Sequence, residues 1–282
     1  MSYVQTPPNP RLNSAVGGMG RTALTWGNLP AGPRAYRYVR GVKLWERDLS
    51  ILEGVASFGA MTTGQIRELY FHGLKSPTSC KVVLRRLVAN GALSRVHVNM
   101  PDNPKGGSPT GCYQIGKTTW KSMYGNTSYK PIRDQYKLMH TLFVVEVFIA
   151  IKRLERTGAL KVEDVAVESD AWANVGGHEV HPDIDLRIDA INRGEPLALW
   201  VEVDRSNEYE RQIQDKIHRY IGAYQSEDYN VDPHRVVFVA RGEDRVKTLK
   251  RYIRKVSDLP RGLFVVFTLD DFVEMLGRER ND

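Results

Sequence analysis

The chain has 282 residues, 41% of them hydrophobic, enough to bury a real core and to build two modest domains. Its two cysteines, Cys80 and Cys112, make neither a disulfide framework nor a CxxC metal site. No apolar run resembles a signal-peptide h-region or approaches the roughly 18 residues of a membrane span, so a cytoplasmic protein is expected. The net charge of +7 conceals an asymmetry: residues 1–135 hold 18 Lys/Arg against 6 Asp/Glu, whereas residues 136–282 hold 22 against 27. Phosphate contact is expected of the first half and metal chemistry of the second.

Residues 1–42 are rich in Pro, Gly, Asn and Arg and too poor in apolar side chains to offset ordering entropy, so they read as a flexible basic tail. From Trp45 the spacing of Leu49, Leu52, Val55 and Ala56, with Phe58 at the end, predicts a helix that Gly59 stops. Met61–Tyr70 reads as a short second helix with Thr62 or Thr63 as its cap. Cys80, Val83, Leu84, Leu87 and Val88 form the buried side of a third helix, ended by Asn90-Gly91. Strands at 92–98 and 112–115 flank a Pro/Gly/Asn loop. Three short helices and a hairpin, over residues 43–130, are the order of a winged helix-turn-helix, in which the third helix enters the major groove of double-stranded DNA. Thr78, Ser79, Lys81, Arg85 and Arg86 on that helix, with Arg95 and Lys105 on the hairpin, are the candidate DNA contacts.

The chain reads as α+β or α/β, with residues 137–282 an α/β domain built on a mixed sheet. A long helix at 137–157 precedes strands at 160–167, 180–190 and 197–204. A helix at 206–225, a strand at 235–240, a helix at 243–257, a strand at 262–267 and a last helix from Asp270 follow. Side chains alternate along a strand, so Asp183 and Asp185 share one face, as do Glu202 and Asp204. If the two strands are neighbours, the four carboxylates converge. Their repulsion is relieved by a hard divalent cation, Mg²⁺ or Mn²⁺. Glu146, in an apolar stretch of the preceding helix, needs a partner or an ion as well, and Lys216 lies in the helix after Glu202.

Glu146, Pro182-Asp183 and Glu202 in this order resemble the PD-(D/E)XK nuclease superfamily, with Asp204 standing where its lysine usually stands. The resemblance implies Asp183, Glu202 and Lys216 as catalytic residues, Lys216 being the migrated lysine. It implies Asp183, Glu202, Asp204 and Glu146 as metal ligands. Over most of the chain from Trp45, the basic winged helix, Leu138-Met139-His140, Pro182-Asp183, Glu202-Val203-Asp204-Arg205, Lys216 and Tyr220 are similar to the replication-relaxation family. Those proteins occur on plasmids, phages and integrative elements of bacteria. The likeness implies a mobile-element protein in a bacterial cytoplasm, acting in replication or DNA processing, and the carboxylate site adds the expectation of Mg²⁺- or Mn²⁺-dependent nicking of DNA. The alternative is a non-catalytic transcription or replication regulator whose degenerate nuclease domain serves a homodimer or contacts with replication or conjugation proteins.

Other chemistries fit worse. His178-Glu179-Val180-His181 is not HExxH, no His-hydrophobic-His motif supports a tyrosine relaxase, and no GxxxxGK[ST] supports an ATPase. Asp204-Arg205 reads equally as a local ion pair, and Arg251, Arg254 and Lys255 read as a solvated helix face.

Overall fold

The computed structural model describes residues 38–39, 41–98, 111–125, 129–189, 196–206, 208–231 and 233–277. Most of the expected tail, and Lys105, lie outside the described residues. The chain divides into two compact units, Met1–Val145 and Glu146–Asp282, and the division falls inside the long helix expected at 137–157.

In the first unit, β1 (Tyr38–Val39) and β2 (Val42–Lys43) form a short antiparallel pair. Helix α1 (Glu46–Phe58) buries Leu49, Leu52, Val55 and Phe58 of the expected stripe, leaves Ala56 half-buried, and adds Ile51. Gly59 ends the helix at φ +95°, a backbone conformation that L side chains rarely adopt, so the position favours glycine. Strand β3 (Met61–Thr62) runs into α2 (Thr63–Tyr70). Of the two threonines read as possible caps, Thr62 is the one used. Its Oγ1 accepts from the Gln65 N–H at 3.2 Å, and Gln65 Oε1 accepts from the Thr62 N–H at 2.9 Å. Helix α3 (Thr78–Ala89) buries Cys80, Leu84 and Leu87.

Strands β4 (Leu93–Val96) and β5 (Cys112–Ile115) pair antiparallel, and β3 adds to the other side of β5, giving the order β3-β5-β4. Gly116 follows at a close approach: a Cβ there would sit 2.0 Å from the Gly91 carbonyl oxygen. Helix α4 (Lys117–Tyr124) was not expected from the sequence: its stripe is one turn long, Trp120, Met123 and Tyr124, and only half-buried, while the residue it fully buries is Thr119.

Helix α5 (Gln135–Thr157) links the units in sequence, and in the second unit the sheet begins with β6 (Lys161–Val167). A separate hairpin, β7 (Ala173–Val175) and β8 (His178–Val180), turns through Gly176 and Gly177. The strand expected at 180–190 is thereby split. Pro182 lacks an N–H, and regular pairing resumes only at β9 (Ile184–Asp189). Then come β10 (Pro196–Asp204), α6 (Glu210–Gln225), β11 (Arg235–Ala240), α7 (Glu243–Arg254), β12 (Phe264–Thr268) and α8 (Leu269–Gly277).

The sheet order is β12-β11-β10-β9-β6, with β10, β11 and β12 parallel and β9 antiparallel to both its neighbours. The fold is therefore α+β with a mixed sheet, as expected. Helices α6 and α7 make the two parallel crossovers. Their Ile213, Ile217, Tyr220, Val246, Leu249 and Ile253 pack on Trp200, Val236, Phe238, Ala240 and Val266 of the sheet. Leu199, Val201 and Val203 alternate to the opposite face and are also buried.

Gln65 tests the first unit. Its Nε2 also donates to the Leu142 carbonyl at 2.7 Å, so one buried amide closes the α2 cap and ties α2 to α5. Gln65→Ala is expected to cost about 2 kcal/mol, read as a lower urea midpoint at an unchanged m-value. A midpoint within error of wild type would refute this role.

Candidate functional site

The register of the sheet decides which acids meet. Trp200 lies opposite Asp185 and Val201 opposite Ile184, so Asp183, Asp185, Trp200, Glu202 and Asp204 all belong to the face covered by α6 and α7. Each carboxylate has its own partners.

Asp183 sits just before β9, half-buried. Its backbone N–H donates to the Val201 carbonyl at 2.9 Å, and its Oδ2 accepts from the Val203 N–H at 2.7 Å. The side chain thus takes over an inter-strand bond where regular pairing of β9 with β10 ends, which fixes it beside Glu202. Glu202, on the middle strand, is 1% exposed. Lys216 Nζ donates to its Oε2 at 2.7 Å, and the Tyr220 hydroxyl donates to its Oε1 at 2.6 Å. Lys216 and Tyr220 are four apart on α6 and so project from one helical face. Lys216 also reaches Glu208 at 3.1 Å.

The electrostatics share one direction. Burial pushes the Glu202 carboxyl above its ordinary pKa and Asp183 adds to this, although Lys216 and Tyr220 pull back. Burial opposes the charge on Lys216, yet Glu202, Glu208 and Asp183 overcome it and hold the ammonium above its usual value. Burial and then Glu202 push Tyr220 well up. Asp183, Glu202 and Glu208 face one ammonium, and Glu202, Lys216 and Tyr220 each hold their proton more tightly than usual. A site with that potential attracts cations.

Asp204 is held elsewhere. Arg245, in the first turn of α7, donates from Nε to Oδ1 at 2.6 Å and from Nη2 to Oδ2 at 2.8 Å, and its Nη2 also reaches the Glu208 carbonyl at 2.7 Å. The Ser206 N–H adds a third bond to Asp204, at 2.7 Å. Asp204 therefore has an ion-pair partner that its sequence neighbourhood does not announce, Arg245 on α7. Asp185 lies 3.1 Å from Nε2 of buried His234, whose ring stacks on Trp200 at 4.5 Å. Glu146 is solvent-exposed on α5, between buried Val145 and Val147. At the rim, His181 stacks on Trp172 at 4.3 Å. Its pKa is lowered by burial and then by Arg219 and Lys216, against the pull of Glu179.

Among the described residues no three His, Cys, Asp or Glu side chains are placed to hold a metal ion. Asp183 and Glu202, hard oxygen donors beside an excess of negative charge, nevertheless match the chemistry of a Mg²⁺ or Mn²⁺ site. Arg245, Glu208 and His234 were missed by sequence reasoning. Arg245 is 41 residues from Asp204, and no local spacing announces such a pair.

On the first unit, Thr78, Ser79, Lys81, Arg85 and Arg95 are exposed. Arg86 is engaged inward, with Nη2 at 2.6 and 2.7 Å from the two oxygens of Asp48, an acid of α1 that is 1% exposed.

The model of the replication-relaxation family matches residues 52–238. Among solved structures, the restriction endonuclease FokI is similar at 13% identity and a TM-score of 0.29, over 83% of this chain and 44% of that one. FokI bound to DNA is similar at 11% identity and a TM-score of 0.25, over 83% and 45%. The chain thus spans less than half the length of FokI. A search of curated proteins finds no significant match.

Lys216→Met tests the ion pair. It leaves Glu202 buried without its cation, at an expected cost of about 3 kcal/mol near pH 8. A carboxyl whose folded pKa is raised contributes stability at low pH that is lost as pH rises through that pKa, so the deficit should shrink at pH 5. Equal deficits at the two pH values would show that the pair does not govern this region.

Proposed function

The chain belongs to the replication-relaxation family, and from that premise we propose that it is a DNA-binding protein of a plasmid, phage or integrative element acting in replication or DNA processing. In this reading the first unit is a winged helix-turn-helix. Its α3 reaches double-stranded DNA through Thr78, Ser79, Lys81 and Arg85, with Arg95 and Lys105 following the backbone. The exposed polar face of α3 and the basic balance of the first half support it.

The second unit is read as a PD-(D/E)XK nuclease-like domain that nicks DNA. One observation carries this: Asp183, Glu202 and Lys216, from a strand entry, the middle strand and a covering helix, converge at one place. Asp183 and Glu202 would hold Mg²⁺ or Mn²⁺, which when bound polarises a phosphoryl oxygen and lowers the pKa of its water. Tyr220 fixes the rotamer of Glu202. Lys216, held protonated by the surrounding acids, is the positive charge available to oxyanion character developing on phosphate. Asp204 serves by anchoring α7 through Arg245 rather than by taking the role of a lysine.

A second reading draws on a different feature of the same site. Glu202 is satisfied by Lys216 and Tyr220, and Asp204 by Arg245, so the site is stable through protein cations alone. That suits a non-catalytic regulator whose second unit contacts a second copy or replication and conjugation proteins. Among the described residues no helix is long and apolar enough to cross a membrane.

Supercoiled plasmid separates the readings. Nicking in Mg²⁺ or Mn²⁺ that Asp183→Ala abolishes is expected. Intact plasmid, junction and single-stranded DNA in every metal would sink cleavage and favour the regulator, whose duplex affinity ignores chelators. For the first unit, Lys81→Ala and Arg85→Ala should each reduce the slope of log K against log salt by about 1. Arg86→Ala should instead lower thermal stability, because it strands buried Asp48. If Arg86→Ala matches the other two in slope and in stability, its assigned role is wrong.

A further inference from the structure

Helix α7 carries a cationic stripe that the acidic second unit does not neutralise. Lys247, Lys250, Arg251 and Arg254 are all exposed and stand at positions i, i+3, i+4 and i+7, on one side of the helix. They span roughly 10 Å along its axis. The flanking cations are spent inside the unit, Arg245 on Asp204 and Lys255 on Glu210 at 2.8 and 3.0 Å. The stripe is not so engaged. Lys247 lies 3.4 Å from Asp244, a fully solvated carboxylate, and Arg251 lies over the Tyr252 ring at 5.5 Å. Among the described residues Lys250 and Arg254 have no ion-pair partner.

This arrangement costs the helix stability. Lys247 with Arg251, and Lys250 with Arg254, are like-charge pairs four apart, which repel. The helix dipole favours cations in the last turn and so accounts for Arg251 and Arg254. It does not account for Lys247 and Lys250, which precede that turn. Residues 136–282 hold 27 Asp/Glu to 22 Lys/Arg, so a solvated face drawn from the same composition would interleave acids along this stripe. Here the acids of α7, Glu243 and Asp244, are confined to its first turn. Arg245, two residues before the stripe, clamps α7 to the end of the strand that carries Glu202.

We propose that the exposed stripe Lys247–Lys250–Arg251–Arg254 on α7 is a second contact surface for the phosphate backbone of duplex DNA, separate from the α3 face of the first unit. It rests on the DNA-binding reading of the chain and adds to it a backbone contact made by the unit that holds the carboxylate site. Charge complementarity selects the occupant. Cations two helical turns long, without acids or exposed apolar residues among them, suit a regular polyanion that is read without sequence preference.

The experiment uses the full chain and a fluorescently labelled duplex titrated over a range of salt. The combined variant Lys247→Gln, Lys250→Gln, Arg251→Gln, Arg254→Gln is compared with wild type and with Lys81→Ala/Arg85→Ala. The stripe variant should lose about 3.6 from the salt slope, at roughly 0.9 for each of its four phosphate contacts. This loss should add to that of the α3 variant, and thermal stability should not fall because repulsion has been removed. An unchanged slope in the folded stripe variant would overturn the proposal while leaving duplex binding by the first unit in place. Polyglutamate bound as tightly as duplex by wild type, and lost equally in the variant, would overturn the DNA assignment in favour of an acidic protein partner. Failure of wild type to bind duplex at any salt would remove the DNA-binding reading and the stripe together.

Discussion

Glu202 is a buried carboxylate on the middle strand of the sheet, and its demand for partners organises the elements around it. A charge so placed is tolerated only when paired and hydrogen-bonded. Lys216 and Tyr220 meet that demand from one face of α6, which sets the rotation of α6 on the sheet. The same rotation buries Ile213 and Ile217. Polar satisfaction and apolar packing therefore agree on one docking of the helix.

The acids along this face are divided rather than pooled. Asp204 draws α7 onto the end of β10 through Arg245, and Asp185 pairs with His234 beneath the Trp200 ring. What remains near Glu202 is Asp183, held by the Val203 N–H, and Glu208, held by Lys216. Burial raises Glu202 and Tyr220, Asp183 adds to both shifts, and Glu202, Glu208 and Asp183 together hold the Lys216 ammonium. One narrow site therefore attracts cations, while acids a few ångströms along the same strands serve as structural anchors.

The first unit applies the same rule to a surface. Arg86 lies among cations that face outward from α3, yet buried Asp48 on α1 claims it. Lys81 and Arg85 keep their exposed positions. A helix read as one basic face therefore has two kinds of cation, and the separation depends on an acid 38 residues earlier in the chain.

Local pattern carried much of this protein. The stripe of α1, the Thr62 cap of α2, the period-two alternation of β10 and the succession of strands and helices after it were legible, because each depends on residues within a few positions of one another. The family, too, was legible from the order of its motifs. Helix α4, whose stripe is a single half-buried turn, was not, and neither was the break that Pro182 makes between β8 and β9. The sequence by itself determined that Asp183 and Glu202 could meet and that Lys216 could approach them, since strand and helix periods place them on defined faces. Only the tertiary structure decided that Asp204 belongs to Arg245, Asp185 to His234 and Arg86 to Asp48. Buried charges pair with whatever opposite or hydrogen-bonding group packing brings within about 3 Å, and sheet register and helix docking choose that group across separations that no spacing rule spans.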